Sequence, residues 1–394
     1  MKHLRSVLLG VASVVLLVAC GGGVPSATQQ SSSGSGPVPQ WEARPTATRA
    51  CPEIPGPGIA LCDVLIMKTR LQPNVAGWTP SNLQAAYNLP SASKGKGQIV
   101  AVVDAYDNPN VASDLAAYRS HFGLPPANFI KYNQDGQQSN YPKGNEGWGV
   151  EIDLDVEMVS ASCPNCTIYL IEANTNSNSN LADAEKEAVK LGAHIISNSW
   201  SSAGLGRPFE SAFDSPGVTY TACADDDRYS SYWPAKFANV VSVGGTVLAK
   251  KGSKYEEVVW PFTGGGCASG VSKPSWQHDP GCTYRTQNDV AAVAMSVAQY
   301  DSYGNYGWMT TAGTSIATPL IAGIYGLAGN ASSQHGGKRF WTLTTQQRRQ
   351  YLHVISEGSD GDCDGSYLCT AGTGQYGTYS GPAGWGTPNG IGAF

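Results

Sequence analysis

Thr310-Thr311-Ala312-Gly313-Thr314-Ser315-Ile316-Ala317-Thr318-Pro319 sets a serine on a glycine-containing turn, directly ahead of the apolar run Leu320-Ile321-Ala322-Gly323-Ile324. The pattern predicts a helix that opens at the serine. A helix N-terminus presents unpaired backbone N–H groups and the positive end of the dipole, which suit a serine that must pass through an alkoxide. Ser315 is therefore the candidate nucleophile, and a serine nucleophile needs a base. The chain has six histidines, but its only His-Gly pair, His335-Gly336, follows the serine. His121, in Ser120-His121-Phe122-Gly123, reads as a helix end, where a charged imidazole complements the dipole. An Asp104/His121/Ser315 triad is the weaker arrangement.

A better base lies in Trp148-Gly149-Val150-Glu151-Ile152-Asp153-Leu154-Asp155-Val156-Glu157-Met158-Val159-Ser160-Ala161. Wound as a helix at about 100° per residue, Ile152, Val156 and Val159 fall on one side. Leu154, Met158 and Ala161 flank from the other. Glu151 and Asp155 fall between these apolar groups, one turn apart, whereas Asp153, Glu157 and Ser160 fall on the opposite, polar side. Two inward carboxyls short of water raise one another's proton affinity and can act as a base and its orienter.

Ser315 with Glu151 and Asp155 resembles the sedolisins, serine-carboxyl peptidases that keep the subtilisin fold and replace histidine with glutamate. The resemblance extends through Cys163-Pro164-Asn165-Cys166 and the strand Ile168-Tyr169-Leu170-Ile171, and covers roughly 77–394. It implies that Ser315 is the nucleophile, Glu151 its general base and Asp155 the group that orients Glu151. It also implies an aspartate that donates to the oxyanion. Thr221-Ala222-Cys223-Ala224-Asp225-Asp226-Asp227 stands at that place, and Asp225 aligns with the family residue; Asp226 is the alternative. A carboxyl donates a hydrogen bond only when protonated, so activity is expected to favour acidic pH. By the same resemblance Ser197, Ser199, Trp200 and Gly265 would line the peptide cleft.

The N-terminus reads as an export signal. Met1-Lys2-His3-Leu4-Arg5 is basic, residues 7–18 are apolar, and Leu17-Val18-Ala19-Cys20 resembles a bacterial lipobox. Residues 1–19 would be removed and Cys20 lipidated, anchoring the protein in the cell envelope, at the outer membrane or cell surface. Residues 20–50 read as a flexible tether rich in Gly, Ser, Pro, Gln and Thr. A short segment, residues 51–76, precedes the peptidase-like domain at 77–394, where many sedolisins carry a large pro-domain; processing by propeptide removal is then in question.

Of ten cysteines, Cys20 is assigned to lipid. Proximity suggests Cys51–Cys62, Cys163–Cys166, Cys267–Cys282 and Cys363–Cys369, with Cys223 left as a buried thiol, in keeping with an exported protein. The net charge of −5 and the absence of a basic run give nucleic-acid binding no support. The family's calcium aspartates fall on Val354 and Ser380, so both acidic ligands are missing and no metal is assigned; Asp360-Gly361-Asp362-Cys363-Asp364-Gly365 reads as an acidic turn.

Apolar strand candidates alternating with helical patterns predict an α/β fold, a subtilisin-like three-layer arrangement around a mainly parallel sheet. The expected protein is a monomeric, exported, membrane-anchored serine-carboxyl endopeptidase acting on peptides. The rival is an inactive peptidase scaffold serving as a surface binding protein.

Overall fold

Strands and helices alternate along the chain as the apolar runs predict. The structure, a computed structural model, describes residues 47–51, 56–67, 76–304 and 306–394. The signal and lipobox residues, Cys20 among them, lie outside the described residues. Three short strands come first, β1 (Ala47–Arg49), β2 (Leu61–Cys62) and β3 (Leu65–Met67), followed by helix α1 (Pro80–Ala86). Then come β4 (Ile99–Ala105), α2 (Val111–His121), β5 (Asn128–Asn133), α3 (Glu146–Ser162), β6 (Thr167–Ala173), α4 (Asn178–Lys190), β7 (Ile195–Asn198), β8 (Trp200–Ser201) and β9 (Thr219–Cys223). The second half holds β10 (Val240–Lys251), β11 (Lys254–Val259), β12 (Gly266–Ser272), β13 (Tyr284–Gln287), β14 (Val290–Val293), β15 (Met295–Asp301), β16 (Gly307–Ala312) and α5 (Thr314–Ala328).

The central sheet runs β11-β10-β9-β7-β4-β6-β5, with β14 paired to β10; all its pairings are parallel except β10 with β11. The interior strand β4 is continuously apolar over Ile99-Val100-Ala101-Val102-Val103 and buried from Val100 on, as a strand covered on both faces must be. Helices α3 and α5 pack side by side against this sheet, and α4 lies against β4 and β6 away from that pair. A second sheet, β1-β3-β16-β15, is antiparallel throughout. The tether expected to run to residue 50 therefore ends sooner, because Ala47–Arg49 already pairs with β3.

Helix α3 starts at Glu146 rather than at Glu151, because the Asn145 side chain caps it by accepting the Trp148 N–H at 3.0 Å. The helix is buried on every side. Asp153, Glu157 and Ser160, expected on an outer polar side, are fully buried too. The reason is packing: α2 and β15 cover that side. There Arg119 donates to Ser160 at 2.6 Å, Asn108 to Asp153 at 2.7 Å, and the Tyr300 N–H to Glu157 at 3.2 Å.

Helix α5 is buried from Thr314 to Leu327. It approaches α3 closely at Gly323, where an added Cβ would strike the Ser162 hydroxyl and lie 3.2 Å from the Val159 carbonyl oxygen. Gly323→Ala should therefore cost about 1–3 kcal/mol of stability as overpacking, and Ser162→Gly in the same chain should recover part of it. Chemical denaturation of the single and double variants reads both effects; an unchanged midpoint for Gly323→Ala would refute the close helix contact.

Candidate active site

Ser315 stands in the first turn of α5. The preceding Gly313 has φ 137° and ψ 155°, backbone that favours glycine, and donates to the Ala294 carbonyl at 2.8 Å. Pro319 lies within the helix and offers no N–H to the carbonyl four residues back, that of Ser315. The Ser199 hydroxyl lies 3.4 Å from this freed carbonyl and donates to it, while the Ser315 hydroxyl donates to the Ser199 carbonyl at 3.2 Å. Ser199 and Ser315 are thus bonded in both directions.

Glu151 and Asp155, one turn apart on α3, face this pair, and Asp104 at the end of β4 joins them. All three are fully buried, and none of their carboxyl oxygens has a partner at hydrogen-bonding geometry. Burial pushes the Glu151 carboxyl well above its usual range; Asp155 and then Asp104 push it further, and the neighbouring Ser315 hydroxyl pulls the other way. Asp155 is raised by burial and then by Asp104, with the Ser199 hydroxyl opposing. Asp104 is raised by burial to about 8. Among the described residues no basic side chain pairs with this group, so it holds protons rather than full charges. Asp104 was weighed from sequence only as a partner of His121. His121 instead stacks on Trp308, 4.5 Å between ring centroids, and His194 bonds the Gly217 carbonyl. The signal that could have found Asp104 is its place at the carboxyl end of a central parallel strand.

The turn after β9 separates two neighbouring aspartates. Asp225 has φ 80°, unusual for a non-glycine residue. Its carboxyl turns toward its own loop, accepting from the Ser230 hydroxyl at 2.6 Å and the Asp227 N–H at 2.9 Å. Asp226 instead reaches the start of α5. Its Oδ1 accepts both the N–H and the hydroxyl of Thr314 at 2.8 Å, and its other oxygen is buried without a partner beside Gly313. The carboxyl at the nucleophile turn is therefore that of Asp226, where sequence alignment favoured Asp225. Burial holds both acids well above the ordinary range.

Of the expected cleft residues, Ser199 and Trp200 lie at the nucleophile, Trp200 through its backbone, since its indole N–H turns inward to the Val103 carbonyl at 3.1 Å. The Ser197 side chain is buried on β7, and Gly265 packs against Asp360 and Gly381. The four expected disulfides are present, and Cys223 is a buried thiol. Val354, one of the positions where the family's calcium aspartates were expected, is exposed, and Ser380, the other, is buried. Elsewhere Asp114, Asp153 and Asp301 converge, with one carboxylate oxygen from each lying within 4.8 Å of the others. Such a trio can share protons or hold a hard cation.

A model of the subtilase family matches residues 136–367. Sedolisin from Pseudomonas sp. (strain 101) is 26% identical over 368 residues, covering 81% of this chain and 61% of that protein. Kumamolisin from Bacillus sp. (strain MN-32) is 28% identical over 341 residues, covering 75% and 60%. The chain thus spans about three fifths of the length of these relatives. A solved structure of Pseudomonas sedolisin, a serine-carboxyl proteinase in complex with two molecules of pseudo-iodotyrostatin, superimposes with a TM-score of 0.68 at 25% identity, covering 80% of this chain and 96% of that one.

The buried acids fix the sign of the pH effect on stability. Each binds its proton more tightly when folded than when unfolded, so folding is favoured most near and below the ordinary carboxylate range, about pH 4. Stability then falls as pH rises toward about 8, where Asp104 titrates. Thermal unfolding of the Ser315→Ala chain should give a higher Tm at pH 4 than at pH 8, and Asp104→Asn should narrow the gap. A Tm that climbs over this range would contradict the cluster.

Proposed function

The chain belongs to the subtilase family, in its sedolisin branch, and on that footing we propose that it is a serine-carboxyl endopeptidase working through Ser315, Glu151, Asp155 and Asp226. The observation that carries this reading is the buried group of Glu151, Asp155 and Asp104 against a helix-start serine, with no histidine beside it. Glu151 takes the Ser315 proton as the oxygen attacks a peptide carbonyl. Burial, Asp155 and Asp104 raise the proton affinity of Glu151, the direction that general-base work requires of a carboxylate. The tetrahedral oxyanion forms at the start of α5, where the Ser315 N–H lies in the first turn, beyond the reach of any intrahelical acceptor. Asp226, protonated, supplies a second donor. The leaving amine recovers a proton from Glu151, and water then hydrolyses the acyl-enzyme by the same route.

Asp226 must keep its proton, so this reading favours acidic pH. Raised affinity extends the active range upward, and activity is lost as pH rises and Asp226 ionises. The reading calls for no metal or cofactor. It keeps peptides as substrates and places the protein in the cell envelope, exported and held by lipid at Cys20. Among the described residues no helix is long and apolar enough to cross a membrane.

Cleavage of a casein-like substrate at acidic pH tests the residue roles. Ser315→Ala should lose about 10³-fold or more in kcat, and Glu151→Gln about 10²–10⁴-fold. Asp226→Ala should lose about 10²–10³-fold. Asp226→Asn, whose amide donates at any pH, should keep much of the rate and soften the decline toward neutral pH. Asp225→Asn should change the rate far less. If Asp225 rather than Asp226 proved essential, the oxyanion assignment would be wrong; full turnover by Ser315→Ala would refute the nucleophile.

A further inference from the structure

The face of α3 turned away from Glu151 and Asp155 carries acids of its own. Asp153 and Glu157 stand there one turn apart, and Asp114 from α2 and Asp301 from the end of β15 converge on Asp153. One carboxylate oxygen from each aspartate lies within 4.8 Å of the other two. All four acids are buried. Burial and then Asp153 raise the proton affinity of Glu157, and Asp114 and Asp301 add to the effect. Among the described residues none of the four acids is in an ion pair. The one guanidinium on α2, that of Arg119, donates instead to Ser160 and to the Pro125 and Pro164 carbonyls.

Hydrogen bonds orient each aspartate without completing its coordination. Asp114 accepts the Ser302 N–H at 2.9 Å and the Ser302 hydroxyl at 2.8 Å, on both of its oxygens, which suits a carboxylate rather than a carboxylic acid. Asp153 Oδ2 accepts the Asn108 amide at 2.7 Å, and Asp301 Oδ1 accepts the Tyr303 N–H at 2.7 Å. Metal-bound carboxylates are held by outer hydrogen bonds in this way. The other two oxygens, Asp153 Oδ1 and Asp301 Oδ2, are buried with no hydrogen-bond partner. Buried carboxyl oxygens left unpaired are costly, and one divalent ion can satisfy both while balancing the surrounding charge. The donors are all oxygen, which selects a hard cation. Magnesium keeps several waters and is seldom held by a cage of protein ligands alone, whereas calcium accepts about six to eight oxygens from mono- or bidentate carboxylates. A buried set of acids therefore favours calcium.

We propose that Asp114, Asp153 and Asp301 form a calcium site, with Glu157 as a further ligand one turn along α3, and that the ion cross-links α2, α3 and β15 behind the catalytic face. The site shares no residue with the C-terminal positions Val354 and Ser380. Calcium there balances acids that packing forces into the interior, and it fixes from behind the helix that carries Glu151 and Asp155. The inference does not depend on the peptidase reading, because none of these four acids enters the catalytic steps.

The test is calorimetric titration of calcium into the full chain carrying Ser315→Ala, stripped beforehand with EDTA. One site with a Kd of about 10 µM or tighter is expected, and calcium at a hundredfold excess over Kd should raise Tm by about 3 °C or more. Asp153→Asn and Asp301→Asn keep the side-chain shape and remove a charge. Each, checked for folding by circular dichroism, should bind calcium at least about tenfold more weakly. Terbium in place of calcium gives a reading that needs no change to the cluster: anomalous scattering from soaked crystals should place the ion about 2.5 Å from the three aspartates. No binding, or binding only in the millimolar range, would overturn the inference and leave the acids holding protons instead. Undiminished binding by the folded variants would overturn it too, as would terbium seated elsewhere, such as at the Asp360–Asp364 turn.

Discussion

The architecture around the site is organised by uncompensated acid. Glu151, Asp155 and Asp104 are gathered from α3 and β4 into the fully buried interior, where no described side chain hydrogen-bonds their carboxyl oxygens. Ionising all three there is prohibitively costly, so the cluster retains protons and any charge that appears is shared. In a histidine-based hydrolase an imidazole would provide a base near neutrality. Here burial and mutual repulsion lift ordinary carboxyls well above their usual range. The price is that α3 must be interior from Trp148 to Ser162, sealed by α2, α5 and β15.

The second acidic group shows the same physics at the other side of the nucleophile. Asp226 accepts from Thr314 at the N-terminus of α5. A helix start is the one place in the site that favours negative charge, yet burial and Asp63 press this carboxyl toward its neutral form. Its two oxygens consequently differ. One accepts from the helix start; the other, partnerless, can carry the proton and aim it at an oxygen seated beside Gly313. Asp225, one residue earlier, accepts from Ser230 and the Asp227 amide through one oxygen, and its other oxygen, also buried without a partner, lies beside Gly264 rather than Gly313.

Much of this was legible in the chain. Ser315, Glu151 and Asp155 follow from a glycine turn and a helical spacing, both local rules that the fold obeys. The parallel sheet follows from continuous apolar runs such as Ile99–Val103, and the disulfides from proximity. What escaped depends on tertiary packing. The burial of Asp153 and Glu157 is set by β15, which comes more than a hundred residues later in the chain. The choice between Asp225 and Asp226 turns on a backbone φ of 80° at Asp225, which rotates the two side chains apart. The place of residues 61–66 is fixed by pairing with β8 and β16, and their own composition carries no mark of either partner.

One oxygen links these parts. The Ser199 carbonyl accepts the Ser315 hydroxyl and the Asp63 amide together, as its two lone pairs allow. While the hydroxyl donates there, its proton points away from Glu151, and transfer requires the hydroxyl to rotate. Pro319 completes the arrangement by withholding an amide from the Ser315 carbonyl, which lets the Ser199 side chain hold the nucleophile's backbone from the other direction. The position of Ser315 is therefore set by Ser199, whose carbonyl and hydroxyl hold it from both directions.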